Sequence, residues 1–399
     1  MDIDNLRISS QSKAQRVPLR FERYLMGTIN WKNRLIGITG ARGSGKTTIL
    51  LQHLAKNLPN DGSALYVAMD DLFFQDVGML ALAEGFAREG GQHLLLDEVH
   101  KYPFWSRELK LIYDNVPELK VIFTSSSILE IHTGESDLSR RAISYSLKEL
   151  SLREYIELKH AIKFPSWSLE EILGDHLQIS QIVNAQIKPV AYLKEYYSYG
   201  AYPYSIEDES TYHQRIMQTV NLTIDVDLPA VENTDYEMLV KIKKLLYLIA
   251  TSVPFTPNIS KLSRDTNISR PVLIRTLQLL EKARLIQQLR KHTQGIGILR
   301  KPEKLYLNNS NLQVALAGKS PNLGTLRETY FMNQVQNIHT IHWTGEADFL
   351  VDNRYLFEIG GKNKSFGKFK NRENAFVVRD NVEYGVAHTI PLWLFGFLY

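Results

Sequence analysis

The densest chemistry in the chain lies in nine consecutive residues, Gly40, Ala41, Arg42, Gly43, Ser44, Gly45, Lys46, Thr47 and Thr48. Glycine, four residues, glycine, lysine and threonine form a phosphate loop. Its glycines let successive backbone N–H groups converge on phosphate oxygens, Lys46 is placed to reach the β- and γ-phosphates, and the Thr47 hydroxyl is placed to bind Mg²⁺. The flanks supply the context such a loop needs. Asn33 to Thr39 is a short apolar run that reads as a buried strand, and Leu50, Leu51, Leu54 and Leu58 recur at helical spacing. The order is therefore strand, loop, helix, and the helix N-terminus adds a favourable dipole. The expected ligand is ATP with Mg²⁺.

A second buried strand should bring an acid to the same phosphates. Gln92 to His100 reads QHLLLDEVH, three leucines followed by Asp97 and Glu98. Asp97 is expected to hold the metal, directly or through water, and Glu98 to orient and deprotonate the attacking water. Ser63 to Asp70 predicts another strand, with Asp70-Asp71 as a polar turn beyond it. Leu119 to Thr124 predicts a further core strand followed by three serines. Thr124 and Ser125 are candidates to touch the γ-phosphate, with Ser126 behind them and Ser127 capping the next helix. Arg140, beside Arg141, is the candidate γ-phosphate-sensing arginine, acting within the chain or from a neighbouring copy; Arg107 is a weaker one.

The rear half carries two further patterns. Ile259, Leu262 and Ile268 predict one short helix, and Ser269 with Pro271 starts a second bearing Leu273, Leu277 and Leu280 on one face. A strand from Leu285, a glycine hairpin at Gly295 to Gly297 and a return strand over Lys304 to Leu307 complete a winged helix. Arg270, Arg275, Lys282 and Arg284 are placed on its second helix, where they could approach DNA. Beyond it, Glu328 falls on a predicted helix and Asp348 and Glu358 on predicted strands. That arrangement resembles the restriction-endonuclease-like fold, in which two strand carboxylates hold Mg²⁺ and a lysine two residues past the glutamate activates water. Here position 360 is glycine and the nearest lysine is Lys362, so the site is expected to be catalytically degenerate. Glu346 reads as a solvated turn residue, and His339 and His342 should face opposite sides of a strand.

Composition sets outer bounds. The chain has 399 residues, no cysteine, and 47 Lys+Arg against 43 Asp+Glu, a net +4 too small by itself to imply a nucleic-acid partner. The charge is concentrated: Ile259 to Tyr306 holds 11 Lys/Arg against 3 Asp/Glu, a local +8, and Lys362, Lys364, Lys368, Lys370 and Arg372 form a second basic cluster. No apolar run approaches the ~20 residues a bilayer requires, and the polar start has no signal-peptide core, so the reading is cytoplasmic with no membrane partner.

The loop, LLLDEVHKYPFWSRELKLIYD, VIFTSSS and SLKELSLREYIEL together resemble a family of bacterial and archaeal AAA-type ATPases with a C-terminal domain of unknown function. The basic–aromatic segment with Trp105, the pair Leu109-Lys110, and Leu150-Ser151-Leu152-Arg153-Glu154-Tyr155 carry the resemblance in the front half. YLKEYYSYGAYP resembles a family element in which a second glycine usually stands where Ala201 does. The expected architecture is α/β: an N-terminal extension (1–30), a AAA-type P-loop domain with a parallel sheet (31–155), a helical connector (156–240), a winged helix (241–318) and a small restriction-endonuclease-like domain (319–399). The expected function is ATP binding and Mg²⁺-dependent hydrolysis whose nucleotide state repositions the rear half. A DNA-binding regulator or defence component using ATP as a switch is the alternative, and a Mg²⁺-dependent nuclease the third reading. The resemblance also implies assembly of several copies.

Overall fold

Apolar runs that are hydrophobic on both faces become the central strands of the front half. The computed structural model describes residues 3–126, 137–232, 234–252, 256–292, 301–318, 321–369 and 372–399. It divides the chain into two units, Met1–Glu149 and Leu150–Tyr399. In the first, β1 (Leu35–Gly40), β2 (Ala64–Ala68), β3 (His93–Asp97), β4 (Lys120–Ser126) and β5 (Ile143–Leu147) form a sheet in the order β2-β3-β4-β1-β5. Every pairing is parallel. Parallel strands need cover on both faces. Helices Met79–Arg88 and Trp105–Asn115 cover one, through Leu82, Phe86, Leu109 and Ile112. Helix Lys46–Asn57 covers the other with Ile49, Leu50 and Leu54. The strand order sets the ends of β1, β3 and β4 side by side, where ligands of open α/β sheets bind.

The segment expected only as an N-terminal extension is largely helical. Helix Ile3–Arg16 lies along β2, the edge strand, and the Tyr66 backbone N–H donates to Ser10 Oγ at 3.0 Å. An edge strand exposes unpaired backbone groups, and a covering helix shields them from pairing with another chain.

The second unit starts inside the segment that the sequence assigns to the front domain through 155. Ser151 caps helix Leu152–His160 in a reciprocal capping box with Glu154, and Tyr155 packs edge-on to Tyr196 of helix Pro189–Tyr199. Helices Leu169–Asn184, Tyr212–Leu222 and Tyr236–Thr251 follow. Helices Ile259–Thr266 and Arg270–Lys282 come next, joined through left-handed Asn267 (φ 55°). Ser269 occupies the cap position of the second, its side chain accepting no hydrogen bond from the first-turn N–H groups, and Pro271 fills the first turn. β6 (Ile286–Leu289) pairs antiparallel with β7 (Lys304–Leu307). The expected hairpin at Gly295 to Gly297 lies outside the described residues.

Helix Leu323–Val335 then packs on a five-stranded sheet of order β12-β11-β10-β9-β8. Its strands are β8 (Ile341–His342), β9 (Phe349–Val351), β10 (Tyr355–Gly360), β11 (Ala375–Arg379) and β12 (Thr389–Pro391). β8, β9 and β10 are antiparallel neighbours, whereas β10, β11 and β12 run parallel. Phe331 of the helix meets Phe349, Phe357 and Phe395, which form the aromatic core of this part.

Candidate functional site

The backbone of the glycine loop has the shape phosphate binding requires. Gly43 (φ 77°) and Gly45 (φ 100°) are left-handed, a conformation that side chains disfavour. A Cβ at Gly40 would stand 2.5 Å from the Leu147 carbonyl oxygen, so that position must also be glycine. Gly43 and Thr47 face solvent while Ser44 and Lys46 are buried. Lys46 Nζ donates to the carbonyls of Gly40 (2.9 Å) and Ala41 (3.0 Å), which folds the ammonium back over the loop. Among the described residues, the buried Ser44 Oγ has no hydrogen-bond partner. Arg23, from the N-terminal segment, braces the loop from outside by donating to the carbonyls of Ser44, Lys148 and Glu149. An open nest of N–H groups, a lysine at its base and an orphaned hydroxyl fit a phosphate chain.

Across from the loop, Asp97 ends β3 and is 4% exposed. Three hydroxyls meet it. Thr47 donates to Oδ2 at 2.7 Å, Tyr66 donates to the same oxygen at 2.8 Å, and Thr124 donates to Oδ1. Burial, then the charge of Asp97, pushes the Tyr66 phenol well above its usual range, so it remains a donor at any physiological pH. Thr47 and Asp97 are the pair expected to hold Mg²⁺, and a hydroxyl joined to a carboxylate suits that hard cation.

Glu98 adopts a left-handed backbone (φ 54°, ψ 47°), and its N–H donates to Thr124 Oγ1 at 2.8 Å. Its carboxylate pairs with Lys101, whose Nζ also lies 2.6 Å from Asp70. Burial pushes the Glu98 carboxyl up, but the Lys101 hydrogen bond and charge outweigh it and hold the group below its ordinary value. For Lys101, burial acts downward and the two carboxylates more than reverse it.

Some expected residues fall elsewhere. Thr124 faces the acid pair, but Ser125, next along β4, must point the other way: it is buried, and among the described residues its hydroxyl meets the Ser126 carbonyl, at 3.5 Å. Strand alternation selects the threonine. Arg140 ends a short turn, Asp137–Arg140, with its side chain exposed, and Arg141 is held by Asp114 at 2.8 Å. Ser127 lies outside the described residues. Sequence reasoning missed Arg23, Tyr66 and Lys101. Tyr66 stands two residues before Ala68, and the pairing of Ala68 with Asp97, which no local pattern reveals, sets tyrosine and aspartate on one face of the sheet.

In the second unit, Glu328 and Asp348 come together around a lysine. Lys304 Nζ of β7 lies 3.0 Å from Glu328 and 3.2 Å from Asp348, and the Tyr306 hydroxyl donates to Glu328. Asp348 also accepts the Ile359 N–H at 2.9 Å. Burial, then the Asp348 charge, pushes the Glu328 carboxyl up. Glu358 is not part of this cluster: its side chain is held by Lys364 (2.7 Å) and Lys368 (3.3 Å). Lys362 is exposed in the turn after β10, because the strand ends at Gly360 and the chain leaves the sheet. Among the described residues, no three His, Cys, Asp or Glu side chains are grouped to hold a metal. Glu346 pairs with Arg372 at 2.6 Å, and His339 contacts Asp352 at 2.6 Å. Lys370 lies outside the described residues.

The sheet order and the loop together define the front half as a AAA-type P-loop core, and residues 32–156 match the family model of an AAA domain. Residues 190–323 match a domain of unknown function (DUF8612). An uncharacterized protein of Methanocaldococcus jannaschii is 30% identical over 289 residues, 69% of this chain and 61% of the relative. The chain thus spans about three-fifths of that relative's length. Solved structures with some likeness include the S. cerevisiae Hsp104–ADP complex (17% identity, TM-score 0.32, 69% of this chain and 40% of that one). Another is AMPPCP-bound DnaA from Aquifex aeolicus (15% identity, TM-score 0.27, 69% and 87%). Among the described residues, no helix is long and apolar enough to cross a membrane.

Proposed function

We propose that the protein binds ATP with Mg²⁺ in the Gly40–Thr48 cradle and hydrolyses it. The observation that carries this reading is the 2.7 Å contact of Thr47 Oγ1 with Asp97 Oδ2, which joins the phosphate loop to the acidic strand end. The loop amides and Lys46 would hold the phosphates, and Thr47 and Asp97 would hold the cation, which supplies neutralising charge. Glu98, one residue on, is the group to orient the attacking water and take its proton at a carboxylate oxygen. Thr124, bonded to both Asp97 and the Glu98 N–H, is the residue through which a change at the γ-phosphate would reach the backbone of β4. Such a change would shift the rear half between two arrangements. We place the protein in the cytoplasm and expect several copies to assemble, with Arg140 exposed toward a neighbour's nucleotide.

The test uses two variants. Lys46→Ala should abolish binding of a fluorescent ATP analogue. Glu98→Gln should bind it normally but hydrolyse ATP at least ~100-fold more slowly. Normal turnover by either variant refutes the assignment.

A second reading makes the ATPase a switch for DNA binding. It is favoured by the exposed side chains of Lys261, Arg264, Arg270, Arg275 and Lys282 on two successive helices followed by an antiparallel strand pair. That arrangement supports a winged helix, although Arg275 also meets Glu232 at 2.8 Å. Nuclease chemistry is disfavoured, because the Lys304 ammonium already sits between Glu328 and Asp348, where a cation would have to bind.

A further inference from the structure

Asp97 accepts from three hydroxyl groups, and one of these donors comes from neither the phosphate loop nor the neighbouring strand β4. Tyr66 lies on β2 at the sheet edge, is 4% exposed, and packs in the same apolar cluster as Ile49 and Leu50. A phenylalanine would satisfy that packing equally well. The hydroxyl has a partner only because Asp97 Oδ2 accepts from it at 2.8 Å. An aspartate χ2 torsion is soft and roughly two-fold, so a carboxylate turns unless both oxygens are held. Thr124 holds Oδ1; Thr47 and Tyr66 share Oδ2. Once Thr47 also serves a cation, Tyr66 is the donor whose only task is to fix the plane of the carboxylate.

Tyr66 is itself held by the N-terminal helix. Ser10, 2% exposed, accepts the Tyr66 backbone N–H at 3.0 Å, and Lys13 Nζ sits 4.9 Å from the centre of the Tyr66 ring. These contacts come from successive turns of one helix and grip both the backbone and the ring of one residue. A helix needed only to cover the edge strand would have no reason to grip that ring.

We infer that Tyr66 is a positioning residue for Asp97, and that the helix Ile3–Arg16 forms part of the cation site by holding Tyr66 through Ser10 and Lys13. The inference rests on Asp97 serving a nucleotide-bound cation.

The test is Mn²⁺ affinity of the full chain complexed with a non-hydrolysable ATP analogue, read by the electron paramagnetic resonance of free Mn²⁺. Analogue affinity in EDTA is measured alongside. Tyr66→Phe should weaken Mn²⁺ binding roughly tenfold, as outer-shell partners of metal ligands do, while leaving analogue binding in EDTA within about twofold. Ser10→Ala should weaken Mn²⁺ in the same direction by about threefold, since it loosens Tyr66 without removing its hydroxyl. Mn²⁺ affinity of Tyr66→Phe within about twofold of the unmodified protein overturns the inference. Should Tyr66→Phe lose analogue binding in EDTA as well, Ser10→Ala decides: a selective Mn²⁺ loss supports the inference, and unchanged Mn²⁺ affinity overturns it. Failure of the unmodified protein to bind the analogue at all would instead sink the nucleotide reading.

Discussion

Replacing Lys304 with methionine removes one charge from a cluster that can be assessed group by group. The Lys304 side chain is 17% exposed, and its two partners, Glu328 and Asp348, are 15% and 18% exposed. Removing one partner of a buried ion pair costs about 3–5 kcal/mol, because the remaining charge stays buried and uncompensated. Partial solvent access reduces this, so about 2–4 kcal/mol is expected at neutral pH. The pH dependence discriminates further. Burial and Asp348 already hold the Glu328 carboxyl above its ordinary value with the lysine present. Without Lys304 that rise must grow. An acid whose folded pKa exceeds its unfolded value costs stability as pH climbs from the unfolded to the folded value, and costs nothing below both. The deficit of Lys304→Met should therefore be largest near pH 8 and shrink as pH falls toward 5. Urea unfolding at both pH values measures it, taking the transition that ATP leaves unmoved as that of the rear unit. A deficit below about 1 kcal/mol, or one unchanged between the two pH values, would refute the claim that this ammonium is what the carboxylates are built around.

Two other outcomes follow from contacts described above. Lys101 favours the ionised form of Glu98, so Lys101→Met should raise the Glu98 pKa and move the acid limb of the ATPase pH profile to higher pH; an unmoved limb would show that the pair is dispensable for the ionisation of Glu98. If the rear half contacts duplex DNA, the double change Arg270→Glu with Arg275→Glu should abolish a binding that weakens steeply with added salt, and the absence of any binding by the unmodified chain at low salt would remove that reading.

How far the molecule can be read without coordinates differs between its halves. The Gly40–Thr48 loop, its strand and its helix are local: glycine freedom, an apolar run and 3.6-residue periodicity operate within a few residues, and β1 and helix Lys46–Asn57 lie where the pattern predicts. The helix Leu323–Val335 and strand Lys304–Leu307 are legible for the same reason. Asp97 and Glu98 could be chosen because an acid pair ending an apolar run, weak evidence alone, follows a phosphate loop in the same chain. The choice between Thr124 and Ser125 could not be made from their types alone, since both carry hydroxyls. It depended on which of two adjacent positions on β4 faces Asp97, and that parity is fixed by the pairing of β4 with β1 and β3.

The sequence by itself determined the phosphate cradle, because a run of glycines closed by lysine and threonine has its chemistry written in consecutive residues. Only the tertiary structure decided which distant side chains serve the acids. Tyr66 reaches Asp97 across a strand pairing, Lys101 bridges Glu98 to Asp70, and Lys304 enters the Glu328–Asp348 pair from a different sheet. A lysine or tyrosine on a strand looks the same in a sequence whether it meets solvent or a carboxylate. The partner it finds is set by strand order and register, which depend on how the whole chain packs.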